Sequence, residues 1–154
     1  MQLYLLRHAD AETVAPTDDQ RFLSEKGMMQ AARIARFCDA HEIRPSVILS
    51  SPLRRAHQTA QEVAGHLKAT VITVRWLACG ARPAGTLERL DEYKTSPSVM
   101  LVGHEPDLSE LVSFLINAQH GSVHIRKGSL TLIDLRELKA GCGRLEFSIP
   151  ARFA

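Results

Sequence analysis

The sequence predicts a three-layer α/β fold: a mostly parallel central sheet with helices on both faces and antiparallel strands at its C-terminal end. Three observations predict it. The short apolar runs Leu3–Leu6, Val47–Leu49 and Val99–Val102 are bounded by turn-forming residues, as expected of strands buried on both faces. Between them lie stretches with apolar residues at helical spacing, which suit crossovers between parallel strands. Near the end, Leu130–Leu135 and Arg144–Ile149 flank a turn carrying Gly141 and Gly143, the spacing of an antiparallel hairpin.

Each element has a local reason. After the first strand comes a polar loop, Asp10 to Arg21, containing Pro16 and Asp18-Asp19. Ser24 then offers a helix N-cap with Glu25 in the first turn, and Met28, Ala31, Ala32, Ala35 and Cys38 mark a buried stripe ending before Pro45. For the second helix Ser51 is the expected N-cap and Pro52 the first helical residue, with Leu53, Ala56, Ala60, Val63, Ala64 and Leu67 facing inward. Val71–Val74 is β-branched and reads as a strand. A glycine-bearing loop, Ala78 to Gly85, precedes a short helix over Thr86 to Tyr93. The strand Val99–Val102 leads through Gly103-His104-Glu105-Pro106 into a helix whose apolar stripe is Leu108, Leu111, Val112, Leu115 and Ile116, with Asp107 as its cap. Gly103 allows close backbone approach there.

Composition excludes several classes. A chain of 154 residues is read as one domain spanning 1–154. Nineteen basic residues against 17 acidic ones leave a net charge of +2, too small a footprint for nucleic acid or an anionic membrane. No apolar stretch approaches the ~20 residues that span a bilayer, and no signal peptide is evident. Three scattered cysteines, Cys38, Cys79 and Cys142, form no C-x-x-C pair and no disulfide framework. The expected compartment is the cytoplasm.

The chemistry sits at the strand ends. In open α/β sheets the ligand crevice lies beyond the carboxyl ends of the strands. The first run delivers Arg7-His8, the second Ser50-Ser51-Pro52-Leu53-Arg54-Arg55, and the third Gly103-His104. Guanidinium forks match phosphate oxygens, and two imidazoles among them point to covalent phosphoryl transfer, one attacking phosphorus and the other bonding an equatorial oxygen. Positive surroundings favour the neutral, nucleophilic imidazole. No P-loop and no G-x-G-x-x-G is present, and no cysteine begins an anion-binding loop. A metal site would want carboxylates where this crevice has arginines, so neither metal nor organic cofactor is expected.

These residues also carry a family resemblance. Leu6-Arg7-His8-Ala9-Asp10-Ala11-Glu12 resembles the first signature of the histidine phosphatase superfamily. Ser50-Ser51-Pro52-Leu53-Arg54-Arg55-Ala56-His57-Gln58-Thr59-Ala60 resembles the second, and Val102-Gly103-His104 the third. The small size, Ala9 in place of glycine, and Arg21-Phe22-Leu23-Ser24-Glu25-Lys26-Gly27 make the chain most similar to the SixA-type phosphohistidine phosphatases. The resemblance implies a phosphoglycerate mutase-like fold. It implies His8 as phosphorylated nucleophile, Arg7 and Arg55 as phosphate-binding neighbours, His104 as second active-site histidine, and Arg21 as a further phosphate-side arginine. It also raises a departure. Larger members resembling this fold carry a carboxylate in the loop after the third strand, whereas Leu77 to Gly85 has none before Glu88.

The remaining candidates receive structural readings. Arg54 is expected in solvent, Cys79 as a small buried thiol, and Glu88, Glu105, Asp107 and Asp10 as carboxylates able to reach the crevice only by moving. No role is assigned to His41, His57, His66, His120 or His124. The expected activity is metal-independent removal of a phosphoryl group through phospho-His8. The expected partner is a phosphohistidine-bearing signalling or phosphotransfer protein. The alternatives are a phosphatase for a small phosphomonoester and a catalytically silent phosphoprotein-binding module; a mutase fits this short chain less well.

Overall fold

The computed structural model describes residues 1–154. Its centre is a six-stranded sheet formed by β1 (Gln2–Arg7), β2 (Val47–Ser50), β3 (Val71–Thr73), β4 (Ser98–Gly103), β5 (Ser129–Leu135) and β6 (Gly143–Pro150). The spatial order is β3-β2-β4-β1-β5-β6. β3, β2, β4 and β1 run parallel, whereas β5 and β6 join antiparallel as the predicted hairpin.

Four helices cover the sheet: α1 (Glu25–Ala40), α2 (Arg54–Leu67), α3 (Pro83–Leu90) and α4 (Asp107–Ile116). Alternation along a strand sorts the core into two layers. Tyr4 and Leu6 of β1 pack with Ile34, Ala35 and Cys38 of α1 and Ala56, Ala60 and Val63 of α2. Leu3 and Leu5 pack on the other face with Leu87 and Leu90 of α3 and Leu108, Leu111, Val112 and Leu115 of α4. β4 is buried along its whole length and pairs with all of β1, so the two strands that lead into His8 and His104 are neighbours at the centre of the sheet. No helix is long and apolar enough to cross a membrane.

Several local expectations shift. The buried stripe of α1 is Gly27, Ala31, Ile34, Ala35 and Cys38, and Met28 is exposed. The helix is rotated because Gly27 presses on the loop after β1: a Cβ there would lie 1.9 Å from the Asp10 carbonyl oxygen. Ser24 caps α1 as expected, accepting from the Gly27 amide at 3.1 Å. α2 begins at Arg54, and Ser51 is left in the β2–α2 turn. α3 begins at Pro83, whose lack of an amide hydrogen suits the first helical turn, three residues ahead of the predicted start. Asp107 is the first residue of α4, not its cap; Pro106 holds the cap position. At Gly103 a Cβ would meet Leu108 at an ordinary 3.4 Å, so close backbone approach does not explain that glycine.

Candidate active site

The three strand ends are tied to one another by backbone bonds that continue past the sheet. The His8 amide donates to the Gly103 carbonyl and the Ser51 amide to the Val102 carbonyl, each at 3.0 Å. His8 and His104 thereby face each other, with ring centroids 5.1 Å apart and planes inclined by 53°. Both are buried, as is Arg55, the second residue of α2.

Two bonds set the tautomer of His8. Its Nδ1 lies 2.7 Å from the Ala9 carbonyl, an acceptor, so Nδ1 carries the proton. The Arg55 Nε–H then donates to Nε2 at 3.3 Å, which requires a lone pair there. The segment cannot slide, because the Ala9 amide donates to Thr59 Oγ1 at 3.1 Å and the Thr59 hydroxyl donates to the Arg55 carbonyl at 2.7 Å. Ala9 itself is fully buried against Leu23 and Ala31. His104 is held through Nε2, 2.7 Å from Ser51 Oγ, while its buried Nδ1 has no protein partner.

Burial holds both imidazoles neutral. The His8 pKa falls to about 3, lowered by burial and by the charges of His104, Arg55 and Arg7, with the Ala9 carbonyl opposing. That of His104 falls to about 4, by burial and then by the Arg55 charge. The unfolded chain, with histidine near 6.5, therefore binds more protons than the folded one from about pH 6.5 down through about 4 for His104 and about 3 for His8. Stability contributed by the neutral rings is fully present above pH 6.5 and is lost as pH falls through that window. In an NMR titration the His8 and His104 ring signals are expected to stay constant from pH 8 to 5. A midpoint near 6.5 for either ring would contradict the buried, neutral pair.

Arg55 and Arg21 converge on one carboxylate. Arg55 donates to the Asp18 carbonyl at 2.8 Å and to Asp18 Oδ2 at 3.0 Å, and Arg21 Nε lies 2.9 Å from Asp18 Oδ1. Burial would raise the Asp18 carboxyl, but the Arg55 hydrogen bond and the Arg55 and Arg21 charges outweigh it and hold the group below its ordinary value. Arg7 stands apart from this cluster. It donates from Nη1 to the Ile125 carbonyl at 2.8 Å, and its buried Nε has no partner. Arg54 is exposed as expected, lying over the Phe22 ring at 4.4 Å. Cys79 is exposed, contrary to expectation, with Sγ 3.8 Å from Arg55 Nη2. Its loop is anchored to α4 by Asp107, whose Oδ2 accepts from the Gly80 and Ala81 amides at 2.8 and 3.1 Å.

The other carboxylates are engaged elsewhere. Glu105 accepts from the Ser109 hydroxyl, Asp10 accepts from Ser24 and Lys127, and Glu88 is exposed on α3. No three His, Cys, Asp or Glu side chains are grouped so as to hold a metal ion. Sequence reasoning missed Asp18, Ser51 as the partner of His104, and Thr59. Thr59 had a signal: Arg55, Gln58 and Thr59 fall on one helical face at i, i+3 and i+4. Gln58 accepts from the Leu23 amide at 2.8 Å, so that face holds the loop as well as the nucleophile.

Comparison with known proteins bears on the family and the fold. Residues 3–78 match the sequence profile of the histidine phosphatase superfamily, branch 1, a segment holding the first two motifs but not His104. An uncharacterized protein of Picosynechococcus is 30% identical over 95% of this chain and 89% of its own length. Phosphohistidine phosphatase SixA of Escherichia coli is 28% identical over 75% of this chain and 74% of its own. The structure of the protein histidine phosphatase SixA complexed with tungstate superposes with a TM-score of 0.89 over 99% of this chain and 98% of that one, at 22% identity. The α-ribazole phosphatase of Shigella flexneri superposes with 0.78 over 94% and 95%, at 20% identity, so proteins of different names share the fold. Profile, relatives and fold lead to one assignment: the chain belongs to the histidine phosphatase superfamily.

Proposed function

We propose that this chain is a phosphatase that takes the phosphoryl group onto His8 Nε2 and that its substrate is phosphohistidine on a protein. The observation that carries the first half is the pair of bonds around His8. With the Nδ1 proton held by the Ala9 carbonyl and a lone pair on Nε2, the ring is a neutral nucleophile aimed at the space shared with His104 and Arg55. On attack, the new Nε2–P bond displaces the Arg55 N–H. The guanidinium then serves the phosphoryl oxygens, on which charge spreads in the transition state. His104, His8, Arg7 and Arg55 are the proposed catalytic groups, with Arg21 assisting in binding. Asp18 must give up its arginines as the phosphoryl group arrives.

The leaving group supports the second half. An alkoxide is strongly basic and departs only as an acid protonates it. The carboxylate nearest the arginines, Asp18, is held as an anion by them and is a poor proton donor. An imidazole already protonated on its second nitrogen leaves neutral without such help. The same device serves the second step: His8 keeps its Nδ1 proton, so water can displace phosphate from Nε2 and release a neutral ring. The name of the Escherichia coli relative agrees with this substrate class.

The test is kcat/KM against leaving-group pKa, using a phosphohistidine peptide, aryl phosphates and alkyl phosphates. The expected result is high activity on the first two, poor activity on alkyl phosphates, persistence in chelator and inhibition by vanadate. A shallow dependence, with alkyl and aryl phosphates equally good, would expose a hidden acid and favour a small phosphomonoester substrate.

A further inference from the structure

On the β5–β6 side of His8 the surface opens into a cleft of about 470 Å³ lined by Arg7, Lys26, Arg126, Lys127 and Arg152, with Asp10 as its one carboxylate. Topology brings these residues together. β5 is antiparallel to β1, and β6 to β5, so the start of β5 and the end of β6 lie where β1 delivers Arg7-His8. The cleft wall is bonded to the nucleophile's own backbone. The Gly128 amide lies 3.2 Å from both the Arg7 and His8 carbonyls, and the Ala151 amide donates to the Gly128 carbonyl at 3.1 Å.

The positive charge of this face is uncompensated. Asp10 pairs with Lys127 at 2.7 Å, but Lys26, Arg33, Arg126 and Arg152 form no ion pair with any carboxylate of the chain. Nor does the face end at the cleft. A second hollow of about 190 Å³ shares Lys26, Gln30 and Arg152 with the first and continues along α1 to Met29 and Arg33. Lys26 to Arg33 alone spans about 10 Å of helix. Met29 and Phe153 stand exposed beside these cations, and Arg152 lies over the Phe153 ring at 4.5 Å. Basic residues interleaved with exposed methionine and phenylalanine over that length suit a protein surface better than a single small anion.

We propose that this face docks an acidic surface of the phosphorylated protein and so selects which phosphohistidine reaches His8. The inference rests on the phosphohistidine reading above. The partner's carboxylates would lie to one side of its phosphohistidine, facing Lys26, Arg126 and Arg152, while the phosphoryl group enters the crevice beyond Arg7. Attraction between such exposed charges raises encounter rate and apparent affinity, and salt weakens it.

The test uses two phosphohistidine peptides of equal length, one flanked by Asp and Glu and one by Asn and Gln, with 4-nitrophenyl phosphate as a small control. Wild-type protein is expected to favour the acidic peptide by about tenfold or more in kcat/KM, through KM, with the advantage shrinking as salt is raised. The variant Lys26→Glu/Arg152→Glu, and separately Arg126→Glu, should lose that advantage and keep 4-nitrophenyl phosphate turnover, which also reports correct folding. Equal kcat/KM for the two peptides in the wild type, measured at low salt, would overturn the docking proposal while leaving the substrate reading intact. So would a preference that survives charge reversal. If neither peptide is turned over while 4-nitrophenyl phosphate is, the phosphohistidine reading itself falls.

Discussion

His8→Ala is expected to abolish turnover of every phosphorylated substrate, with the folded protein retained. The side chain removed is the only imidazole whose Nε2 lone pair is presented to Arg55, and His104 cannot replace it because its Nε2 is engaged by Ser51. Alanine leaves no nucleophile and breaks no backbone bond, since the His8 amide still reaches Gly103. Steady-state rates with an aryl phosphate, alongside circular dichroism, check this. Residual activity above about one part in a thousand of wild type would mean that water attacks phosphorus directly or that another group is phosphorylated.

The second large effect concerns Arg55 and its neighbour. Arg55→Ala removes a buried guanidinium that touches His8 and anchors Asp18. Its loss should cost on the order of 2–4 kcal/mol of transition-state stabilisation, the magnitude for one preorganised oxyanion donor. That is roughly 10²–10³ in kcat/KM. Arg54→Ala, one residue away, should lower kcat/KM by less than about tenfold, since an exposed side chain stacked on Phe22 loses only a surface contact. Equal losses from the two variants would show that Arg55 acts through the fold and not on the phosphoryl group.

The contrast between those arginines shows what was legible in the sequence. The apolar stripe of Ala56, Ala60 and Val63 turns Arg54 toward solvent, and the motif resemblance singles out Arg55 as the phosphate-side arginine. The apolar runs likewise located β1, β2 and β4 and the strand-end chemistry, since burial on both faces leaves an unbroken trace in the chain. The strand ends of His8 and His104 did converge as the parallel order requires.

What remained hidden depends on contacts between segments far apart in sequence. The rotation of α1 follows from Gly27 meeting the Asp10 carbonyl, so a stripe drawn through Met28 had no local signal against it. Ser51 looked like a helix cap because serine before proline is a common start. The structure spends its hydroxyl on His104 and on the Leu53 amide, the latter at 3.2 Å. Asp18 sat unremarked in a polar loop; only the fold carries that loop across to Arg55 and Arg21. Asp107 has a cap's place before a helical stripe, but its carboxylate reaches back to the loop at Gly80.

The most direct measurement of the central claim is rapid chemical quench of the wild-type protein during its first turnover of a ³²P-labelled phosphohistidine donor, followed by mapping of the bound label. The account predicts a phosphoryl group that is labile in acid, stable in base and located at His8, with no label in His8→Ala. Label on any other residue, or phosphate released in the first turnover with none bound to the protein, would contradict it.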